Sequence, residues 1–170
     1  MRSRTVNVMA YWLLPAPPAR AYFRELIRGL AAANDALPFE PHLTLAVGPD
    51  EPWAMDRTLA KCTPGVIEVR AIEVGFASVF TRTLFVRFEA NAALLRLRSS
   101  LGEDGQEQFD PHVSLLYQNL SPSRQAELAQ EIHLPFATVA FDSVAVTRCR
   151  IPVASNADVA LWETIAVCQL

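Results

Sequence analysis

From Val6 to Leu14 the chain is almost wholly apolar, rich in β-branched and aromatic side chains, and stops at the breaker Pro15-Ala16-Pro17-Pro18, which predicts a strand. Over Ala19 to Asn34, Phe23, Ile27 and Leu30 recur at helical spacing with Arg20, Arg24 and Arg28 beside them, an amphipathic helix. His42 to Gly48 reads as a second strand. Asp50 is placed to cap a short helix over Trp53 to Cys62, ended by Pro64-Gly65. Ile67 to Val74 alternates with period two, and Leu84 to Phe88 returns as a further strand. Asn91 caps a helix through Leu94, Leu97 and Leu101 that Gly102 stops. The second half repeats this order. His112 to Tyr117 is strand-like, Ser121-Pro122 opens a helix that carries Leu128 and Ile132 and ends before Pro135, and Val139 to Thr147 and Trp162 to Val167 are strands.

The repetition extends to individual residues. Phe39-Glu40-Pro41-His42-Leu43-Thr44-Leu45 aligns with Phe109-Asp110-Pro111-His112-Val113-Ser114-Leu115, 70 residues later, and a helix and a strand pair follow each copy. Two pseudo-symmetric lobes facing one another are the natural architecture, with one heptad in each.

Composition narrows what such a chain does. With 170 residues, 51% of them apolar and 19% charged, it buries a full core as one bilobal domain, and disorder is excluded. The net charge of −3 and the lack of any Lys/Arg run argue against binding long nucleic acid. Charge is uneven: residues 1–33 hold five Arg against one Glu, while residues 101–145 hold seven acids against Arg124, a solvated acidic face. No stretch reaches the roughly 18 apolar residues of a membrane span, and the basic start reads as the lead into a strand, not a signal peptide. Cys62, Cys149 and Cys168 lack metal-type spacing, so reduced thiols in a monomeric cytoplasmic protein are expected. Cys149 and Cys168 fall on neighbouring strands, though spacing alone shows no disulfide.

In a strand, residues i and i+2 share a face, so facing lobes would bring His42, Thr44, His112 and Ser114 into one cleft. A core has no use for paired histidines. Such a set suits hydrolysis of a cyclic phosphodiester: one imidazole takes a proton from water, the other gives one to the leaving ribose oxygen. The hydroxyls of Thr44 and Ser114 donate to phosphate oxygens. No metal or other cofactor is needed, and two neutral imidazoles without carboxylate or thiolate partners make a poor metal site. The sequence leaves open which histidine is the base.

His42-Leu43-Thr44 and His112-Val113-Ser114 resemble the paired motifs of the two-histidine (2H) phosphoesterase superfamily. Tyr11 to Pro15, Phe39 to Thr44, Pro111 to Tyr117 and Trp162 to Leu170 resemble its plant and fungal cyclic phosphodiesterase branch, while the segment around residues 103–110 is short. The resemblance implies an α+β fold: a bilobal, pseudo-two-fold arrangement of two antiparallel β-sheets with outer helices and the active site in the cleft between lobes. It implies hydrolysis of ADP-ribose 1″,2″-cyclic phosphate to the 1″-phosphate and of nucleoside 2′,3′-cyclic phosphates to 2′-phosphates. His42 and His112 would be acid and base, with Thr44, Ser114 and Tyr117 on the phosphate. Trp12 would line the nucleotide side, core packing being its alternative.

Tyr117 lies at an odd offset from His112, so it needs a bulge or a strand end to reach the same face; otherwise it packs the sheet. Phe76 and Phe80 flank a loop between two strands, as hairpin core or with one of them stacking on a base. His133, near a helix end, reads as structural. Two other functions remain: processing of RNA ends that carry a 2′,3′-cyclic phosphate, which calls for basic residues at the cleft, and a non-catalytic nucleotide-binding module.

Overall fold

The computed structural model describes residues 5–62, 64–102 and 109–170; the first four residues and most of the short 103–110 segment lie outside it. The order is β1 (Val6–Pro15), α1 (Pro17–Ala33), β2 (Leu43–Pro49), α2 (Pro52–Leu59), β3 (Ile67–Gly75), a 3-10 turn (Phe80–Arg82), β4 (Leu84–Phe88), α3 (Ala92–Ser100), β5 (His112–Leu116), α4 (Pro122–Glu131), β6 (Thr138–Ile151), α5 (Asn156–Val159) and β7 (Glu163–Gln169). Among the described residues no helix is long and apolar enough to cross a membrane.

Two helix starts follow the cap logic. Asn91 Oδ1 accepts from the Leu94 amide at 3.0 Å, and Ser121 Oγ accepts from that of Arg124 at 3.3 Å. Gly102, past the end of α3, takes the left-handed φ of +94° that glycine tolerates best. Asp50 does not cap α2. Glu51 holds that position without a side-chain bond, and the Asp50 carboxylate accepts instead from Arg148 Nε at 2.9 Å, an ion pair that outcompetes the local cap. The helix also ends at Leu59, before Pro64-Gly65.

All strand pairings are antiparallel. The order β1-β2-β5-β4-β3-β6-β7, with β1 also paired to β6, joins the two expected sheets into one circuit. One half is β2-β1-β6-β7 and the other β5-β4-β3-β6. The 14-residue β6, longer than the sequence pattern predicts, serves both: Thr138–Phe141 pairs with β3, and Phe141 onward with β1. On the far side the halves meet through a single pair, Leu43 with Val113. Both side chains are fully buried in the main core.

β1 is apolar on both faces because both are covered. Met9, Tyr11 and Leu13 join the core beneath Phe23 and Ile27 of α1, while Val8, Ala10, Trp12 and Leu14 pack with Ala145 and Cys149 on the opposite, concave face. The three cysteines are free thiols, and Cys168 stands opposite Val144, well along β6 from Cys149.

Each motif strand carries a bulge at the same place. Tyr11 faces Ala46 but Trp12 faces Thr44, which strands Leu45; Leu84 faces Leu116 but Phe85 faces Ser114, which strands Leu115. After each bulge the alternation shifts by one. Leu45 with Ala46, and Leu115 with Leu116, are both core pairs, and Val47 and Tyr117 then turn to the concave face.

The Leu43–Val113 junction gives a direct test. Leu43→Ala is expected to cost about 3 kcal/mol, as buried Leu→Ala changes do, against less than about 0.5 kcal/mol for the exposed Val167→Ala. Urea unfolding of the two variants reads this; equal midpoints would mean that the junction contributes no more than a surface position.

Candidate active site

A cavity of about 240 Å³ opens on the concave face between the halves. Its wall brings together all six residues singled out in the sequence: Trp12, His42, Thr44, His112, Ser114 and Tyr117. The antiparallel register at Leu43–Val113 sets His42 across from Ser114 and Thr44 across from His112, so the four motif side chains form a quartet around one residue pair. Phe76 is exposed, Phe80 leans on the Tyr117 ring at 6.0 Å, and neither lines the wall. His133 is exposed, its Nδ1 at 3.1 Å from the Glu131 carbonyl.

Both cavity histidines are held alike. His42 Nδ1 donates to the Glu40 carbonyl at 2.6 Å, and His112 Nδ1 donates to the Asp110 carbonyl at 2.8 Å. A carbonyl only accepts, so Nδ1 carries the proton and Nε2 is left for the cavity. Pro41 and Pro111 stiffen the link between each carbonyl and its imidazole. The acidic side chains anchor it. Glu40 accepts from Arg20 Nε at 2.6 Å and Arg24 Nε at 2.9 Å, both on α1. Asp110 accepts from Arg82 Nη2 at 2.5 Å and Arg87 Nε at 2.8 Å, and Arg87 also pairs with Glu73.

The surroundings of the two differ. The His42 ring stacks on Trp12 at 3.7 Å and 13°, with the edges of Trp162 and Phe39 at 5.9 and 6.1 Å. One face of Trp12 is thereby occupied by protein. Burial pushes the His42 imidazole down to about 4; the Glu40 carbonyl works against this, and nearby His112 adds to it. His112 is lowered too, first by burial, then by the Arg82 and Arg87 cations, against the Asp110 carbonyl and carboxylate. Burial raises the Tyr117 phenol, and raises the Cys149 thiol to about 12. At neutral pH both imidazoles are therefore neutral.

The hydroxyls differ as well. Thr44 is exposed to the cavity, whereas the buried Ser114 donates to the Thr81 carbonyl at 2.8 Å. Beyond the bulges, Tyr117 occupies on one side the place Val47 takes on the other, its ring stacked on Phe39 at 4.0 Å. Thr81 and Arg82 escaped the sequence reading, and Trp162, noted there only as the start of the C-terminal stretch, joins them on the wall. They sit on the two hairpin connections, where periodicity is silent. The remaining wall is apolar, with Val8, Val47, Ile151 and Val153 at one end. Among the described residues no three His, Cys, Asp or Glu side chains gather as a metal site.

Residues 74–170 match the model of a family described as cyclic phosphodiesterase-like protein. Among solved structures, Escherichia coli LigT in complex with 3′-AMP superposes with a TM-score of 0.60 at 15% identity, over 96% of this chain and 98% of that one. TT0787 of Thermus thermophilus gives 0.60 at 17% identity, over 96% and 97%. LigT in apo form gives 0.58 at 14% identity, over 99% of each chain. At these identities the likeness is one of fold. No curated protein matches the chain by sequence.

The buried neutral His42 has a signature in stability. Its value in the folded chain, about 4, lies below the 6.5 of the unfolded chain, so between them the unfolded state binds more protons. The stability is complete above 6.5 and falls away as pH drops toward 4, by about 3 kcal/mol. Urea unfolding at pH 7 and pH 4 should show a shallower loss in His42→Asn than in wild type; an identical loss would remove His42 as its source.

Proposed function

This chain belongs to the cyclic phosphodiesterase-like family, and we propose that it opens the cyclic phosphodiester of a small nucleotide by water attack, with His42 and His112 as the proton-transfer pair and no metal. The observation that carries this reading is the pair of imidazoles sharing one cavity, each with Nδ1 fixed on a carbonyl and Nε2 left for substrate. His42, which burial keeps neutral down to about 4, is the base. Its Nε2 takes a proton from water as the water oxygen bonds to phosphorus. His112 is the acid: Nε2–H protonates the ribose oxygen as its bond to phosphorus breaks. His112 is lowered as well, so it acquires that proton with the substrate, whose anionic phosphate favours an imidazolium beside it.

Thr44 and Tyr117 donate to the non-bridging oxygens, and Ser114 joins them once it turns from Thr81. The apolar end takes the nucleoside. Adenosine 2′,3′-cyclic phosphate, giving the 2′-phosphate, and ADP-ribose 1″,2″-cyclic phosphate, giving the 1″-phosphate, are the substrates of this reading.

Product analysis in excess EDTA should show ring opening of one or both. His42→Ala and His112→Ala should each lose about 10²- to 10⁴-fold in turnover, and Thr44→Ala about tenfold. Full activity in either histidine variant, or its abolition by EDTA, would overturn the mechanism. The pH profile is a second check. For the free enzyme, kcat/KM should rise through about 4 as His42 deprotonates and fall below 6.5 as His112 does, the apparent values belonging to the coupled pair. The falling limb of kcat should lie at higher pH, because the bound phosphate stabilises the imidazolium; a kcat profile flat to about pH 9 would exclude His112 as the acid.

A further inference from the structure

We propose that Arg82 is a phosphate-binding residue of this cavity, supplying the positive charge that receives the substrate's cyclic phosphate on the His112 side. The proposal rests on the hydrolytic reading above only for the identity of the anion.

Arg82 is the one side chain with a permanent charge among the described residues lining the cavity. A cyclic phosphodiester enters as a monoanion and leaves as a monoester with up to two charges. Hydroxyls and neutral imidazoles alone would pull that anion from water at a large desolvation cost. A guanidinium at the wall offsets it with charge-assisted hydrogen bonds.

The residue is also prearranged. It ends the 3-10 turn Phe80–Arg82, and that turn is tied to the second motif heptad twice: by Ser114 Oγ on the Thr81 carbonyl at 2.8 Å, and by the Asp110 carboxylate on Arg82 Nη2 at 2.5 Å. Its guanidinium lies over the Phe85 ring at 4.4 Å. A side chain held in this way loses little further freedom when a ligand arrives. Asp110 engages only part of the Arg82 donor set, and 28% of the side chain stays exposed, so the five-donor guanidinium keeps N–H groups for an anion. Ser114, the hydroxyl expected on the phosphate in this half, is meanwhile engaged by the residue before Arg82.

Arg87 provides the contrast. It grips the same Asp110 carboxylate at 2.8 Å but does not line the cavity. An effect transmitted through Asp110 and His112 would follow loss of either arginine, whereas direct contact follows loss of Arg82 alone.

Calorimetric titration with inorganic phosphate separates these cases without requiring turnover, run on wild type, Arg82→Met, Arg82→Lys and Arg87→Met, each with its melting temperature. Arg82→Met should weaken phosphate binding by about tenfold or more while still folding, Arg82→Lys should retain most of it, and Arg87→Met should keep the wild-type value. KM for adenosine 2′,3′-cyclic phosphate should rise in the same order. Wild-type affinity in folded Arg82→Met would overturn the proposal, as would an equal loss in Arg87→Met. If wild type binds phosphate in an Arg82-dependent way yet opens no cyclic nucleotide, the hydrolytic reading fails and this one stands.

Discussion

Leu43 and Val113, paired across the junction of β2 and β5 and both sealed from solvent, govern how the two imidazoles stand to one another. Each lies one residue from its histidine. Because alternate residues of a strand face opposite ways, sinking Leu43 and Val113 into the core turns His42, Thr44, His112 and Ser114 outward together. The rest of the circuit serves that junction. β6 closes the other side by running through both halves, and α1 covers the core beneath, while its Arg20 and Arg24 hold Glu40 from outside. A carbonyl bond then sets each ring's tautomer, and a carboxylate gripped by two arginines sets the carbonyl.

The duplication supplies a symmetric scaffold, and its departures from symmetry supply direction. His42 is enclosed by Trp12, Trp162 and Phe39; His112 sits nearer solvent beside Arg82 and the Phe85 edge. Thr44 is open where Ser114 is engaged, and one hairpin connection brings Trp162 where the other brings Thr81 and Arg82. The proposed hydrolysis, with its two unlike proton transfers, would draw on such inequality to give each imidazole its own role. A cation and hydroxyls at one end and valines at the other also give the cavity a polarity along which a nucleotide can lie in one sense.

Most of the scaffold was legible because its signals are local. Asn91 and Ser121 cap as their chemistry dictates, and the matched heptads pointed to the quartet that one cavity gathers. Asp50 misled for the opposite reason: a good capping residue was taken by Arg148, 98 positions away, which no window along the chain contains. Arg82 was missed, and Trp162 was not assigned to the site, because a hairpin connection has no periodicity to say which side chains turn inward. The odd offset of Tyr117 announced that a bulge was needed, but the stranded residue, Leu115, is one leucine of an adjacent pair and carries no mark of its own.

The two bulges partition each motif strand into a part set by the β2–β5 junction and a part that lies beyond it. Up to Thr44 or Ser114, every side chain answers to the β2–β5 junction and to the partner copy. Beyond the stranded leucine the ladder has changed step, and both Val47 and Tyr117 reach the cavity wall, Val47 exposed and Tyr117 packed on Phe39. The fifth residue after each histidine is thus where the copies diverge, a valine in one and a tyrosine with its own aromatic neighbours in the other. A chain built from two copies of one unit can diversify its ligands there, one copy at a time, without retuning the machinery that both copies share.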